Sequence, residues 1–278
     1  MPREISDEGR MKQKRGIIDL LHPEDYNAWI HTRDCFHGDG TRHLIPDLFY
    51  EKRVIHLLSD LEKQVYYFLR SNEKILELFE QFPLLPLSKT EDICKKYNIK
   101  PPQNPITKKN IVMTTDFLII FKENNEEKKW VACAVKPSSK LEDQRTKEKL
   151  FIERKYWETL GVRWGILSEL QIDSIYVKNI ILCRNGYKGP ANYTAYNIVK
   201  FLIVYNLINV DMHKLIDLDE VIKDIQKGRI KIEPDICNEK RSNINKLQSM
   251  FDFPKIERVL FNNSITNKED VDSTNKNI

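Results

Sequence analysis

The pattern of apolar and polar positions predicts alternating helices and strands over the middle of the chain. Apolar residues recur at helical spacing from Ser59 to Leu78, which predicts a helix with a break near Ser71. From Pro83 to Asn110 the sequence is rich in proline and polar residues, and it is therefore predicted to be rich in loops.

Two apolar segments with β-branched residues, Thr115–Phe121 and Trp130–Lys136, predict two neighbouring strands. The polar connection between them, residues 122–129, is short, so the strands are expected to form an antiparallel hairpin. Pro137 ends the second strand, because proline has no N–H to donate to a strand ladder.

A second helix and a third strand follow the hairpin. Ser139 and Glu142 have the spacing of a capping box, which predicts a helix that begins there and runs to about Leu160, with Gly161 ending it. The segment 163–167 reads as a strand. The order helix, hairpin, helix, strand predicts an α/β domain with a mixed sheet flanked by helices.

The C-terminal part predicts a smaller, mainly helical domain over residues 169–262. Residues 177–183 are apolar, and helical patterns over 195–209 and 218–226 precede a short basic strand at 228–232. Helices followed by a basic strand favour a winged-helix-like arrangement.

The two ends of the chain are predicted to lie outside the folded domains. Residues 1–15 form a flexible basic arm, and residues 263–278 form a disordered tail, because they carry few apolar residues to anchor them. The first domain then covers residues 16–168.

Composition adds limits on compartment and partners. The formal net charge of +4 and a pI of about 8.6 permit a nucleic-acid partner without requiring one. The five cysteines are odd in number and include no CxxC motif, so neither a disulfide framework nor a zinc ribbon is indicated, and a location in a reducing cytoplasm is expected. No apolar stretch has the length of a membrane span, so no membrane partner is expected.

The candidate chemistry lies at the predicted hairpin. Asp116 begins the first strand and Lys136 ends the second, so antiparallel pairing brings them together. A carboxylate there can hold Mg²⁺, which polarises a phosphate and helps to form hydroxide, while a lysine orients water or neutralises phosphoryl charge. Glu62 is the best-placed third member.

Each of these residues also has a structural interpretation. Asp116 could bond to the local backbone at a strand start, and Lys136 could be a solvated strand end. Glu62 could close a capping box by reaching back to the Ser59 amide.

Five short motifs occur in a characteristic order along the first domain. They are His56–Glu62, Gln81–Pro86, Thr115–Leu118, Val135–Pro137 and Glu153–Trp157. This set resembles the TnsA family, the endonuclease subunit of heteromeric cut-and-paste transposases. The resemblance covers about residues 40–168 and implies a restriction-endonuclease-like fold there, whereas beyond residue 168 it is thin.

The resemblance also implies a site. The acids of the family fall on Glu62 and Asp116, and its lysine falls on Lys136. The backbone carbonyl of Val135 is expected to be a further Mg²⁺ ligand, because the metal accepts carbonyl oxygens, and Mn²⁺ is expected to substitute. Glu153 and His56 are expected just behind these ligands. Two residues before the lysine, nucleases of this fold place Asp or Glu and TnsA proteins carry glutamine. Here that position is Ala134, which predicts weaker metal binding.

By resemblance, the protein would be a magnesium-dependent DNA endonuclease that cuts the non-transferred strand at the 5′ ends of a transposon. A DDE-type transposase subunit (TnsB-like) would cut the 3′ ends, and an AAA+ ATPase regulator (TnsC-like) would bind the C-terminal region. Two alternatives stay open. One is a catalytically inactive adaptor of the transposition complex, which Ala134 favours. The other is a stand-alone restriction or repair nuclease.

Four further features have two interpretations each. His31, Cys35, His37 and His43 are either a zinc knuckle or an ordinary loop. His56 either touches DNA or is a hydrogen-bonded structural histidine, and Glu153 either supports the site or pairs with Lys149 or Lys155 on a helix surface. The basic residues of the 139–160 helix, and those around the predicted basic strand, are either phosphate contacts or solvated surface. These basic residues are Arg145, Lys147, Lys149, Arg154 and Lys155 in the helix, and Arg229, Lys231, Lys240 and Arg241 near the strand.

Overall fold

The computed structural model of the protein describes residues 6–34, 41–50, 52–123, 127–184 and 194–232. The chain divides into two units, Met1–Val177 and Lys178–Ile278. Within the described ranges no helix has both the length and the apolar character that a bilayer crossing requires. Several predicted features lie outside the described residues: the first five residues of the basic arm, Cys35, His37, Lys240, Arg241 and the tail 263–278.

The first unit alternates helices and strands. In chain order its elements are α1 (Asp7–Lys12), β1 (His43–Pro46), β2 (Val54–Leu57), α2 (Asp60–Arg70), β3 (Ile75–Pro83), α3 (Leu87–Lys96), β4 (Thr114–Lys122), β5 (Lys128–Val135), α4 (Gln144–Thr159) and β6 (Arg163–Leu167). The strands β1 and β2 form a two-stranded antiparallel sheet. The other four strands form one sheet in the order β3-β4-β5-β6.

The four-stranded sheet is mixed, as predicted. The pairs β3–β4 and β4–β5 are antiparallel, whereas β5 and β6 are parallel. The predicted hairpin and the predicted strand at 163–167 are therefore confirmed. The parallel pair needs a crossover connection, and α4 supplies it.

The core covers the sheet on both faces. Leu118 and Ile120 of β4 share one buried cluster with Ile152 and Trp157 of α4. The intervening Phe117, which points to the opposite face because side chains alternate along a strand, is buried as well. Burial on both sides explains why β4 reads as a continuous apolar run.

Two predictions before the hairpin were wrong. The helical pattern from Ser59 ends with α2 at Arg70, and Ile75–Leu78 belongs to β3, where pairing with β4 buries Leu78. The segment after Pro83, predicted as loops, contains α3. Pro86 stands immediately before the first helical residue, Leu87, where the fixed φ of proline and its missing N–H are tolerated.

The start of α4 was also misplaced. The N-cap is Asp143, whose side chain accepts a hydrogen bond from the Thr146 amide at 2.7 Å, and Ser138–Lys140 forms a short 3-10 turn before it. The predicted capping box at Ser139 is therefore wrong. The predicted end is confirmed, because the helix stops at Thr159 and Gly161 adopts a φ of +68°.

The second unit is helical where the structure describes it. Helix α5 (Ser174–Cys183) crosses the boundary, and α6 (Ala195–Val204) and α7 (Leu218–Gln226) follow. Apolar side chains of α6 and α7 share a buried core. The predicted strand at 228–232 is not present: the chain turns after α7 at Gly228, and Arg229 bonds to Asp224 at 2.9 Å. The winged-helix arrangement and the domain limits stay predictions.

Candidate active site

The ends of β4 and β5 bring Asp116 and Lys136 into direct contact. The Lys136 ammonium lies 2.9 Å from Asp116 Oδ2. The same ammonium donates to the Val135 carbonyl oxygen at 2.8 Å, and the Val135 amide donates to Asp116 Oδ2 at 2.6 Å. These three residues therefore form one hydrogen-bonded group at an open end of the sheet.

The strand register explains this placement. Phe117 pairs with Cys133, so Asp116 lies one residue beyond the last paired position of the ladder. Its carboxylate accepts the Val135 amide, so this backbone donor is satisfied where the ladder stops. On the other side, the Lys136 amide donates to the Leu167 carbonyl of β6 at 3.0 Å, which fixes the end of β5.

Glu62, in the first turn of α2, is held by three donors. Its carboxylate accepts from the Leu58 amide at 2.9 Å, the Ser59 hydroxyl at 3.0 Å and the Gln81 side-chain amide at 3.0 Å. Ser59 caps α2 by accepting from the Glu62 amide at 3.1 Å. The cap is therefore present, but the Glu62 carboxylate reaches the Leu58 amide and not the predicted Ser59 amide. Only 6% of Glu62 is exposed.

Gln81 is a site residue to which the sequence reasoning gave no role. It lies on β3 between the pairs Glu80–Phe117 and Phe82–Thr115, which places it opposite Asp116. It is 1% exposed and has a φ of +48°, a region that residues other than glycine seldom adopt. A polar amide between the apolar residues Phe79 and Phe82 was the signal that could have identified it.

Gln81 joins two elements of the site. Its side-chain nitrogen donates to Glu62, and its side-chain oxygen accepts from the Thr114 hydroxyl of β4 at 3.2 Å. Because both ends of the amide are bonded, its orientation is fixed, and with it the orientation of the Glu62 carboxylate.

Glu153 of α4 points into the same region. It is 5% exposed and accepts a hydrogen bond from the hydroxyl of Thr115, the neighbour of Asp116. The alternative, a surface ion pair with Lys149 or Lys155, is wrong, since Lys155 pairs instead with Glu158 at 2.6 Å.

The carboxylates of the site repel one another. Burial first, and the charge of Asp116 second, raise the pKa of Glu62 to about 7. The same two causes, in the same order, raise the pKa of Glu153 to about 7. Burial opposes the charged form of Lys136, but the Asp116 carboxylate outweighs it and raises the pKa of Lys136 above its ordinary value. The lysine is thus an ammonium among acids that are crowded with negative charge.

The donor atoms suit a hard cation that keeps part of its water shell. Carboxylates of Glu62 and Asp116 and the Val135 carbonyl are all oxygen donors, the kind that Mg²⁺ prefers, and Mg²⁺ commonly retains several waters. The Lys136 ammonium already bridges two of these oxygens, which shows that the position accepts positive charge. Ala134 is fully buried and offers no ligand. Over the described residues no group of three or more His, Cys, Asp or Glu side chains is arranged to hold a metal.

The histidines have structural partners. His56 stacks on His31 at 4.1 Å between ring centroids, and its Nδ1 accepts from the Thr32 amide at 3.2 Å. Burial and then the nearby Arg15 charge lower the pKa of His56 to about 4, so the ring is neutral at pH 7. His43 pairs with Asp60 at 2.7 Å. Two of the four residues of the zinc alternative thus have other partners, and the other two lie outside the described residues.

Comparison with known proteins gives two matches. The family described as TnsA-like endonuclease N terminal matches residues 72–169. The "Transposon Tn7 transposition protein TnsA" of Escherichia coli is 38% identical over 171 residues, which are 62% of this chain and 59% of that protein. The chain thus spans about three fifths of the length of this relative. The resemblance to the TnsA family that the motifs carry is confirmed: residues 72–169 match the N-terminal region of TnsA-like endonucleases.

Proposed function

We propose that this protein is the endonuclease subunit of a heteromeric DNA transposase, and that it hydrolyses the non-transferred strand at the 5′ ends of the transposon. The observation that carries the proposal is the convergence of Asp116, Lys136 and Glu62 where two strand ends meet the start of a helix. The match of residues 72–169 to the TnsA-like endonuclease N-terminal family supports it.

The ligands for Mg²⁺ would be the carboxylates of Glu62 and Asp116 and the carbonyl of Val135. When bound, the ion supplies a polarised phosphate and an acidified water. Burial and the nearby Asp116 charge raise the pKa of Glu62 and of Glu153. A bound divalent cation would offset the repulsion among these carboxylates, so the repulsion favours metal binding.

Lys136 supplies positive charge and hydrogen bonds. Because Asp116 raises its pKa, the side chain keeps its proton at neutral pH and cannot serve as a base. It can donate to the attacking water and neutralise charge that develops on the phosphoryl oxygens. Its fixed backbone bond to Leu167 keeps the ammonium at the edge of the site.

 Gln81 holds the Glu62 carboxylate through its amide, and Glu153 holds Thr115 next to Asp116. We infer that Gln81 is a positioning residue: it orients Glu62 in a site where Ala134 contributes no ligand of its own. Such supporting residues set the geometry and the affinity of a metal site.

The proposed partners are DNA, a DDE-type transposase subunit that is TnsB-like, and an AAA+ ATPase regulator that is TnsC-like and binds the C-terminal region. The relative's printed name, a transposition protein, supports this setting. Genes for a DDE transposase and an AAA+ ATPase next to the gene of this chain would agree with it.

The test is cleavage of end-labelled transposon DNA by the reconstituted assembly. We expect Mg²⁺-dependent cuts at the 5′ ends that leave 5′-phosphate and 3′-hydroxyl groups, that Mn²⁺ also supports, and that a chelator abolishes. An assembly that leaves the 5′ ends intact in Mg²⁺ would favour the inactive adaptor, the alternative that Ala134 supports. Cutting by the purified chain without partners would favour a stand-alone nuclease.

A further inference from the structure

A basic cavity of about 400 Å³ lies beside the start of α4. One wall is the loop that follows α3, and the other is the first part of α4. Four cationic side chains line it: Lys100, Lys108, Arg145 and Lys149. No carboxylate belongs to the described residues that line the cavity. Its walls therefore carry a surplus of positive charge.

The loop wall is conformationally restricted. It contains three prolines, at positions 101, 102 and 105, each with a fixed φ. A β-bridge joins Gln103 to Asn110 and closes the loop into a narrow turn. Within that turn, the Asn104 side chain accepts from the amides of Ile106 and Thr107 at 2.8 and 2.9 Å. A stiff wall loses little entropy when a ligand binds against it.

Arg145 links the two walls. Its guanidinium donates to the Lys100 carbonyl at 2.8 Å and to Glu148 at 2.6 Å. These bonds fix the loop to α4 and offset part of the arginine charge. The role of Arg145 is therefore partly structural, and the free positive charge of the cavity comes from Lys100, Lys108 and Lys149.

The basic residues of α4 fall into two groups. Lys147 pairs with Glu142 at 2.7 Å, and Arg154 pairs with Glu158 at 2.7 Å, as expected for a solvated surface. Lys149 lies one helical turn after Arg145, on the cavity side, and forms no ion pair with the described carboxylates. Solvated surface is therefore the interpretation that fits Lys147 and Arg154, whereas phosphate contact is the one that fits Lys149.

The cavity lies within electrostatic reach of the candidate active site. Partial burial lowers the pKa of Lys149, and the positive charges of Arg145 and then Lys136 lower it further, while Asp143 opposes them weakly. Lys136 is the cation that contacts Asp116. A negatively charged group in the cavity would relieve this repulsion and would lie near the catalytic residues.

We propose that this cavity binds a phosphate group. Resting on the proposed function, we assign it to a backbone phosphate of the DNA strand that enters the active site. Several ammonium groups around one cavity match a phosphodiester anion, and such contacts position nucleic acid without reading its sequence. A free phosphate ion shares this chemistry, and the two sources are separated experimentally.

The DNA arm uses the full chain with a fluorescent duplex of arbitrary sequence, titrated at several KCl concentrations. Lys100→Ala and Lys149→Ala should each reduce the slope of log K against log[KCl] by about 1, because one phosphate contact is lost. The matched control is Lys147→Ala, on the same helix but paired with Glu142, which should keep the wild-type slope. Lys149→Arg, which retains the charge, should restore it.

The second arm adds inorganic phosphate at constant ionic strength and measures the unfolding temperature. Protection of the wild type but not of the Lys149→Ala variant, with unchanged DNA slopes, would overturn the assignment to DNA and leave a site for free phosphate. Equal behaviour of Lys149→Ala and Lys147→Ala in both arms would overturn the whole inference, as would a wild-type chain that binds neither ligand.

Failure of the cavity proposal can be distinguished from failure of the proposed nuclease function. If the wild-type assembly cleaves DNA but the lysine variants bind DNA like the wild type, only the assignment of the cavity to a DNA phosphate is refuted. If the lysine variants lose salt-dependent binding and the wild-type assembly never cleaves, only the nuclease function is refuted.

Discussion

Replacement of Glu153 by glutamine should stabilise the metal-free protein at alkaline pH. Glu153 is buried beside Asp116, and burial first and the Asp116 charge second raise its pKa to about 7. Glutamine has the same shape, carries no charge and keeps an oxygen that can accept the Thr115 hydroxyl. The substitution therefore removes a buried charge without opening a cavity.

The size of the effect follows from the pKa shift. A rise from 4.5 to about 7 corresponds to about 3 kcal/mol, since one pKa unit equals about 1.4 kcal/mol. The folded state binds the proton more tightly than the unfolded state, so the wild type loses stability as the pH rises from about 4.5 to 7. The full difference between variant and wild type is present above pH 7 and disappears below pH 4.5.

The assay is thermal unfolding in a chelating buffer at pH 5 and pH 8. For a folded unit of this size, about 3 kcal/mol corresponds to roughly 6–12 °C in Tm at pH 8. The control is Glu158→Gln on the same helix, an exposed residue paired with Arg154 and Lys155, which should leave Tm close to that of the wild type at both pH values. Equal Tm values for Glu153→Gln and the wild type at pH 8, or an advantage that grows toward pH 5, would refute the reasoning.

Two further substitutions test the supports of the metal site. Gln81→Leu removes the amide that holds Glu62. The cleavage rate should fall by about 10- to 100-fold, and a higher Mg²⁺ concentration should be needed for the half-maximal rate. A change in Tm with an unchanged Mg²⁺ requirement would contradict a positioning role. Ala134→Asp places a carboxylate two residues before Lys136, on the same side of the strand. The affinity for Mn²⁺, measured by calorimetry, should therefore rise about tenfold. Unchanged or weaker affinity would contradict a metal site at this position.

The hairpin and the pair at its open end were predictable because both depend on local sequence. Two apolar runs separated by a short polar segment have few other ways to pair, and the strand ends then place Asp116 beside Lys136. The start of α2 was also visible, since Ser59 carries the cap. The presence of Glu62 in the same site depends on tertiary packing. Its position near the start of the helix made it a candidate, and the family resemblance favoured the site role over a purely structural cap.

The features that were missed depend on contacts between distant segments. Ile75–Leu78 continues a helical spacing, and only pairing with β4 makes it a strand. Gln81 was therefore not placed opposite Asp116. The basic cavity combines a loop near residue 104 with a helix near residue 147, and no local pattern joins them. The N-cap of α4 is Asp143 and not Ser139. Both residue types suit an N-cap, so the local sequence did not distinguish them.

The most direct test of the central claim is the 5′-end cleavage rate of Asp116→Asn in the reconstituted assembly with Mg²⁺. The variant should keep its Tm and partner binding but lose more than about 100-fold in rate, because asparagine removes the charge that would hold the proposed metal and that contacts Lys136. The matched control, Asp92→Asn on the exposed side of α3, should cleave like the wild type. Wild-type rates from Asp116→Asn would contradict the assignment of this site.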